Sequence, residues 1–446
     1  MINTYMEFPL EPRLRWAALQ PLTGGMYLGT EKAVGHPAEF IISYPGFDAP
    51  KYNKKGELVD AGNEYHLKVY LEKHNRMPAY YQFDRAPFQN DNDYNPQILQ
   101  NGQPVEHPDY SNLDLVVAVP VCAGLSGATS NATAEVKASR NGNMIWLAKY
   151  ALNTIRPKVY IFENAPRFMS GAGAPVRKEI EQIAREAGYS LGYYKTDTKW
   201  HNNCQIRPRT FIYFFRIDDE NRKGTPALGW ERKNVSIEEF LNRIPKTAIT
   251  QTETVPMGKL QTAILRFVEH MYGENWREQM HTGSLIEEII KVKKLDEFNT
   301  WVQTSEDFDE TTKKQVAKHV THIKDKAAQG LGFYAVTPVI AQREGMPSAM
   351  FKTIPNVIHY KENRLYNIRE WLTAMGMPYD FEMQGDYLRN FPKIGQNVPA
   401  RTAYFIAAEA VKVIRNWDTV KRSPEANVVF FDNNKQQAEV LMDLAA

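Results

Sequence analysis

Short apolar runs alternate with amphipathic stretches over the first half of the chain. The apolar runs have the length and the β-branched content of buried strands, and they occupy residues 14–19, 40–42, 115–119 and 157–162. Between them, apolar residues recur at helical spacing over 144–155 and 176–184, and Gly188 follows the second stretch as a helix stop. This alternation predicts an α/β fold with a doubly wound, mostly parallel sheet.

The second half of the chain has a different pattern, in which helical stripes dominate. Apolar residues recur at helical spacing over 260–271, 286–295 and 316–327. Lysines at 291–294 and 313–326 are interleaved with nearly as many acids, which favours a solvated helix face over a row of phosphate contacts. Further on, the pattern predicts an amphipathic helix over 400–414, a strand over 428–431 and a helix over 436–444.

A candidate nucleophile follows the third apolar run. Pro120 removes a backbone donor and ends the strand, so Cys122 is expected on the loop just past a strand end. Ligands bind at that edge of open α/β sheets, and a thiol there is placed to react. An inert, buried cysteine is the alternative, because free cysteine is among the most buried residue types.

Further along the chain, charged and amide side chains also lie next to the ends of predicted strands. The strand predicted up to Phe162 is followed directly by Glu163 and Asn164. Three polar residues alternate along the chain just before a strand predicted over 210–214, so they share one face; they are Gln205, Arg207 and Arg209. A thiol, a carboxylate and two guanidiniums are therefore expected to converge at the strand ends.

The order and spacing of these motifs resemble the DNA cytosine-5 methyltransferases, which carry Pro-Cys, Glu-Asn and Gln-x-Arg-x-Arg. Further matching segments are Thr353-Ile354, His359, Arg369-Glu370 and Ile394-Gly395-Gln396-Asn397-Val398-Pro399. The resemblance covers roughly residues 15 to 215 and 349 to 415. It implies a Rossmann-like methyltransferase sheet with an inserted helical target-recognition domain. The implied division is a catalytic domain over 1–215 and 349–426, the recognition domain over 216–348, and a C-terminal extension over 427–446.

The resemblance also implies roles for the residues on the base side. Cys122 would add to C6 of a flipped cytosine, and Glu163 would hydrogen-bond the Watson–Crick edge at N3. Arg209, supported by Arg207, would hold the base and favour the thiolate. The residues that would position the base and the loop are Pro120, Ser126, Asn164 and Gln205.

The donor side departs from the family pattern. In the family the turn Phe-x-Gly-x-Gly-Gly holds S-adenosylmethionine, and here Gln20 and Leu22 replace its phenylalanine and first glycine. The acid that grips the ribose after the second strand is missing, and Asp48 is the nearest substitute. Asp84 would meet the adenine amino group or, alternatively, cap a turn. The implied ligands of S-adenosylmethionine, or of a modified analogue, are Gln20, Gly24, Gly25, Asp48, Asp84, Gln396 and Asn397.

The composition of the chain gives little information about its binding partners. A formal net charge of +2 over 446 residues is too mild to indicate nucleic acid, so double-stranded DNA is expected from the resemblance alone. The 2 cysteines have no metal-ligand neighbours at zinc spacing, so no metal is expected. No apolar segment suits a signal core or a membrane span, which predicts a cytoplasmic protein of a bacterium or phage-infected cell. The sequence does not indicate an oligomeric state.

Three hypotheses of function remain at this point. The first is an S-adenosylmethionine-dependent DNA cytosine-5 methyltransferase. The second keeps the covalent chemistry but transfers a different group or uses a modified donor, because the alterations are concentrated on the donor side. The third is a catalytically inactive DNA-binding relative, which the joint retention of Cys122, Glu163 and Arg209 disfavours.

Overall fold

The computed structural model describes residues 13–86, 95–120, 125, 134–218, 222–245, 252–281, 284–329, 339–340, 346–347, 357–385, 387–423 and 427–440. Some predicted motif residues lie outside these ranges. They are the candidate nucleophile Cys122, the candidate loop residue Ser126, and the Thr353-Ile354 segment.

One large mixed sheet forms the centre of the described residues. Its eleven strands are, in chain order, β1 (Trp16–Leu19), β2 (Phe40–Ser43), β3 (Ala79–Phe83), β4 (Ile98–Gln100), β5 (Gln103–Val105), β6 (Leu115–Ala118), β7 (Val159–Asn164), β8 (Tyr189–Asp197), β9 (Pro208–Arg216), β10 (Val428–Asp432) and β11 (Gln437–Val440). Their order across the sheet is β11-β10-β8-β9-β7-β6-β1-β2-β3-β4-β5.

The relative directions of the strands determine which strand ends lie at the same edge of the sheet. Strands β7, β6, β1, β2 and β3 run parallel to their neighbours in that order, as do β8 and β10. Strand β9 runs antiparallel to both β7 and β8. Its first residues therefore lie at the edge where the parallel strands end. The prediction of a doubly wound, mostly parallel α/β sheet is confirmed.

Helices cover both faces of the sheet and make up most of the described residues between 237 and 415. They are α1 (Gly25–Val34), α2 (Tyr65–Lys73), α3 (Ala134–Tyr150), α4 (Ala174–Ala187), α5 (Ile237–Leu241), α6 (Lys259–Tyr272), α7 (Trp276–Gln279), α8 (Leu285–Lys291), α9 (Leu295–Thr304), α10 (Glu310–Ala328), α11 (Ile368–Ala374), α12 (Tyr387–Gln396) and α13 (Ala400–Arg415). Two apolar cores lie on opposite faces of the sheet, because successive strand residues point to opposite sides. No described helix has both the length and the apolar character needed to cross a bilayer.

Helices α6 to α10 enclose an apolar core of their own. That core is built on residues such as Phe267 and Val316 and also takes in Ile358 and Leu365. By contrast, Ile237 and Phe240 of α5 pack into the main core beside the sheet. The separately packed helical unit is therefore shorter at its start than the 216–348 segment expected from the sequence.

The C-terminal extension adds two strands to the sheet. Strand β10 pairs in parallel with β8, and β11 pairs antiparallel with β10, Val440 lying opposite Val429. The helix predicted over 436–444 is therefore wrong for residues 437–440, and residues 441–444 lie outside the described ranges. Pairing with β10 fixes an extended backbone here, and this tertiary contact overrides the local helical pattern.

Candidate active site at the carboxyl edge of the sheet

A buried ion pair lies where β7 ends and β9 begins. Asn164 is paired with Thr210 and Glu163 with Phe211, so Arg209 enters the sheet beside the end of β7. The Nε atom of Arg209 lies 2.5 Å from Oε1 of Glu163, and both side chains are less than a tenth exposed. Removing one partner of such a pair leaves an uncompensated buried charge. The carboxylate and one guanidinium of the sequence motifs therefore meet at the carboxyl edge.

Arg207 is directed elsewhere, although it lies only two residues before Arg209. Its guanidinium donates hydrogen bonds to the carbonyl oxygens of Gly395 and Asn397, at 2.8 and 2.9 Å. The backbone amide of Arg207 donates to Asp197 at the end of β8. Arg207 is almost fully buried. Arg207 therefore fastens the end of α12 and the residues after it to the sheet edge. We call this segment, residues 395–399, the closing loop.

The amide side chains at this edge differ in their partners. Asn164 is buried, and its side-chain oxygen accepts the backbone N–H of Ala165. Gln205 is also buried, but neither polar atom of its side chain has a hydrogen-bond partner within the described part of the chain. An unsatisfied buried amide costs free energy unless a ligand or another group completes it. Pro120, at the end of the neighbouring β6, is buried as well.

The turn between β1 and α1 is strained and tightly packed. Gln20 and Leu22 adopt positive φ values of 50° and 53°, and Gly24 has a φ of 104° that favours glycine. A Cβ on Gly24 would lie 2.6 Å from Leu67 of α2, and one on Gly25 would lie 1.7 Å from the carbonyl oxygen of Val398. The absence of a side chain at these two glycines therefore allows Leu67 and the backbone of Val398 to pack closely against the turn.

The side chain of Gln20 is buried at this turn. Its amide nitrogen and oxygen both lack a hydrogen-bond partner among the described residues. The backbone of Gln20 is held by a 2.8 Å hydrogen bond to the carbonyl oxygen of Ile42. The orphaned amide therefore lies at the carboxyl ends of β1 and β2.

A carboxyl group that the sequence interpretation missed lies against the same turn. Glu64, just before α2, accepts hydrogen bonds from the hydroxyls of Ser43 at 2.6 Å and Tyr80 at 2.9 Å. Complete burial raises the pKa of Glu64 to about 8, while these hydroxyls and the backbone amide of Leu22 act to lower it. Glu64 follows β2 along the chain, but 20 residues, which include a short two-stranded hairpin, separate it from Ser43. Because of that separation, the sequence pattern did not connect Glu64 with the end of β2. The amphipathic helix starting at Tyr65 was the feature that could have indicated its position.

The other predicted donor ligands are already engaged. Asp48 is bonded to Lys68 at 2.8 Å and to Gln82 at 2.7 Å. Asp84 accepts the backbone N–H of Gln97, which directly precedes the neighbouring strand β4, at 3.0 Å.

The closing loop supplies the remaining two predicted donor ligands. Gln396 is exposed and accepts a hydrogen bond from Asn63 at 3.0 Å. Asn397 is buried, and its side-chain oxygen accepts the backbone N–H of Gly25 at 2.8 Å. Asn397 therefore caps the start of α1 and joins the closing loop to the glycine turn.

Cys204, Arg364 and Glu370 have contacts that are typical of structural residues. Burial raises the pKa of the Cys204 thiol to about 12, which keeps it protonated and unreactive. Arg364 forms a bidentate pair with Glu370, and Glu370 caps α11 through Asn367. No cluster of potential metal ligands occurs among the described residues.

Comparison with known proteins places the chain in a family. Among solved structures it is similar to a protein described as a DNA modification methyltransferase encoded within an E. coli prophage, at 15% identity and a TM-score of 0.47, covering 90% of this chain and 99% of that one. It is also similar to the Entamoeba histolytica methyltransferase EhMeth, at 12% identity and a TM-score of 0.46, covering 92% and 99%. No curated protein matches the chain.

A family model gives the decisive match. The model, described as C-5 cytosine-specific DNA methylase, matches residues 80–412, well over half of the 446 residues. The matched range contains the Glu163 and Arg209 pair, the Arg207 contact and the closing loop. The chain therefore belongs to the C-5 cytosine-specific DNA methylase family.

Proposed function

We propose that this protein methylates C5 of cytosine in double-stranded DNA through a covalent cysteine adduct. The observation that carries the proposal is the buried pair of Glu163 and Arg209 at the carboxyl edge of adjacent strands. A pocket for a flipped cytosine needs a carboxyl group at N3 and a cation near the adjacent O2. These two residues supply both in one place.

The nucleophile is assigned to Cys122. Strand β6 pairs with β7 so that Ala118 lies level with Phe162, which precedes Glu163. The described chain continues two residues past Ala118 to Pro120. The two residues from Pro120 to Cys122 span at most about 7 Å. Cys122 is thus within reach of the same edge as Glu163.

The first chemical step needs activation, because C5 of cytosine is a weak nucleophile. The Cys122 thiolate donates an electron pair to C6, the C5–C6 double bond opens, and electron density builds at C5 and N3. Glu163 donates or shares a proton at N3, which stabilises that charge. C5 takes up the methyl group as its bond to the donor breaks, with the demethylated donor as the leaving group. The C5 proton then passes to solvent, N3 returns its proton to Glu163, the C5–C6 double bond re-forms, and the Sγ–C6 bond breaks to release the Cys122 thiolate.

Two arginines have different tasks in this scheme. Arg209 holds Glu163 in place and presents positive charge to the base and to the thiolate. Arg207 acts as a positioning residue, since its donors are used on the carbonyls of Gly395 and Asn397. Gln205, with its orphaned amide, and Asn164 line the same edge and position the loop.

The donor is proposed to be S-adenosylmethionine, which supplies an electrophilic methyl group when bound. The orphaned amide of Gln20 and the carboxyl of Glu64 fit its polar adenosine, because both are buried polar groups at the glycine turn. Glu64 takes the place of the family acid on the ribose, a role first assigned to Asp48. Asn397 and Gly25 hold the start of α1 beside it.

A modified donor remains the second candidate. It is favoured by one feature, the polar side chain of Gln20 at the position where the family has a stacking aromatic ring. An amide offers hydrogen bonds that a phenyl ring cannot, so a donor carrying an additional polar group would gain partners here.

The helical segment between the two parts of the catalytic domain is proposed to select the DNA sequence. Its support is its position in the chain and its separate apolar core around Phe267 and Val316. A target base inside a duplex must be flipped out before C6 can be attacked, so the segment would also hold the opened duplex.

Mass spectrometry of nucleosides tests these proposals. DNA is incubated with the protein and either S-adenosylmethionine or a modified donor, then digested. We expect 5-methylcytosine with the first donor, and a loss on the order of 10²-fold or more in rate for Glu163→Gln, since a positioned acid contributes that much. An extended C5 substituent only with the modified donor would favour the second candidate. Unmodified DNA in all reactions would contradict both.

A further inference from the structure

Positively charged side chains form a band beside the Glu163 and Arg209 pair. Its members are Lys199, Arg232, Lys233, Arg243 and Arg401, and we call them the basic band. Thr196 of β8 lies directly opposite Arg209 of β9, and the chain turns after Asp197 to reach Lys199. The band therefore begins at the same carboxyl edge as the proposed base pocket.

Two segments of the band are tied together by the backbone. Lys233 donates to the carbonyl oxygen of Trp200 at 2.7 Å, and Asn202 donates to the carbonyl oxygen of Lys233 at 2.6 Å. Arg243 donates to the side-chain oxygen of Asn202 at 3.3 Å. The cations are thus presented by a fixed framework.

An aromatic ring organises two of these cations. The guanidinium of Arg232 lies 4.0 Å from the centre of the Trp200 ring, and the Lys199 ammonium lies 4.7 Å from it. Trp200 is itself anchored, because its indole N–H donates to Asn434 of the C-terminal extension at 2.8 Å. Two cations held on one ring repel each other, and a bound anion would relieve that repulsion.

The cations of the band are short of acidic partners. Among the described residues, Lys199, Arg232, Lys233 and Arg401 form no ion pair, and Arg243 is paired with the exposed Glu239. Burial and the neighbouring Arg243 lower the pKa of Arg401, and Glu231 acts in the opposite direction. Asp197, Glu231 and Glu239 are acids close to the five cations of the band. An excess of cations therefore remains for an external anion.

Two lysines of the helical segment show the opposite arrangement. Lys294 is paired with Glu297, and Lys324 with Asp296. The charge of these two lysines is balanced by neighbouring carboxylates, so they have little to offer a polyanion. The cations of the basic band lack such partners, and the band begins at the carboxyl edge that holds the candidate site.

We infer that the basic band binds the phosphate backbone of DNA on one side of the flipped base, and that the C-terminal extension orders it through Asn434. This inference rests on the proposed function, because the partner is taken to be the duplex that supplies the target cytosine. Phosphates carry regularly spaced negative charge, which matches a row of cations without sequence-specific contacts. The band would thus contribute affinity and orientation, and the helical segment would contribute selectivity.

Salt-dependent binding of the full-length protein to a 30-base-pair duplex of arbitrary sequence tests the inference. The test variant is Lys199→Gln with Arg232→Gln, and the matched control is Lys32→Gln with Lys73→Gln, two exposed lysines in the last turns of α1 and α2, which removes the same charge. We expect the slope of log Kd against log salt to fall by about 1.8 for the test variant, and affinity at 0.1 M salt to fall on the order of 10-fold or more. The control should behave as the unmodified protein does.

The outcomes separate this inference from the proposed function. Adduct formation on 5-fluorocytosine DNA is measured in parallel with the unmodified protein. Equal slopes for test and control variants, with the adduct formed, would overturn the basic band and leave the proposed function intact. A reduced slope without any adduct would support the band and count against the covalent mechanism. Preference for a structured RNA over the duplex, lost in the test variant, would overturn the assignment of DNA as the partner.

Discussion

The guanidinium of Arg207 donates a hydrogen bond to the carbonyl oxygen of Asn397, 2.9 Å away, across 190 residues of sequence. The side chain of Asn397 in turn accepts the backbone N–H of Gly25 at 2.8 Å. The base side and the donor side of the candidate site are therefore joined through a single asparagine.

Arg207→Lys should disturb both sides at once. Lysine keeps the charge but cannot span two carbonyl oxygens as a planar guanidinium does. We expect the free energy of unfolding to fall by roughly 1.5–3 kcal/mol, the contribution of a hydrogen bond to a charged group. Urea denaturation measures this, with Arg266→Lys as the control, because Arg266 is half exposed. Equal stability of the two variants would show that the Arg207 contact is dispensable.

Cys122→Ala should abolish methyl transfer and the 5-fluorocytosine adduct while leaving DNA binding nearly unchanged. Cys204→Ser should retain both, because burial raises the pKa of Cys204 to about 12 and excludes its thiolate. Denaturing gel electrophoresis of adducts, followed by peptide mapping, distinguishes the two thiols. An adduct on Cys204, or full turnover by Cys122→Ala, would mean that the nucleophile is assigned wrongly.

Glu64 should make the stability of the protein depend on pH. Its pKa is raised from 4.5 to about 8 in the folded state, so the folded protein keeps a proton that the unfolded chain releases. The free energy of unfolding should therefore fall as pH rises from about 4.5 to about 8, by roughly 4 kcal/mol. Glu64→Gln should lack this component. Denaturation at pH 5 and pH 8.5 gives the difference, and an identical pH dependence in both proteins would contradict the prediction.

Donor binding should be weaker than an aromatic-lined site would give. A stacked ring is worth about 0.5–1.5 kcal/mol, so replacing it by Gln20 costs up to about 10-fold in affinity for S-adenosylmethionine. Calorimetric titration measures this, with and without DNA. Glu64→Gln should weaken binding further, whereas Asp48→Asn should not, because Asp48 is already paired with Lys68. A larger effect of Asp48→Asn would restore Asp48 as the donor ligand.

The helical segment should be separable from the sheet if it is cut where it meets the core. Val255 and Ile358 both form β-bridges with Leu365, so a short linker can replace residues 256–356 and leave the main core intact. We expect cooperative unfolding to persist and sequence-selective DNA binding to disappear. Deletion of 216–348 should instead prevent folding, because it removes Ile237 and Phe240 from the main core. Retained selectivity in the first deletion would contradict a recognition role.

The sequence predicted features that depend on local periodicity. Strands β1, β2, β6, β7 and β9 lie where apolar runs indicated them, because strands buried on both faces of a sheet are continuous apolar stretches. Convergence of Glu163 and Arg209 followed from their positions at strand ends.

Features that depend on long-range packing were not predictable in the same way. Arg207 turns to the closing loop because Gly395 and Asn397 present carbonyl groups to it, which alternation along one strand cannot indicate. Glu64 contacts the glycine turn although a long polar segment separates it from β2 in the sequence. Residues 437–440 form a strand because β10 offers an edge to pair with.

Strand β10 has a consequence for how the protein is made. It fills the sheet beside β8, and Lys195 is separated from its partner Asp432 by 237 residues. During synthesis the outer edge of β8 therefore stays unpaired until those residues have left the ribosome. An exposed strand edge is a template for pairing with other chains. Ribosomal pausing before residue 428, or a premature stop there, should thus yield an aggregation-prone nascent chain.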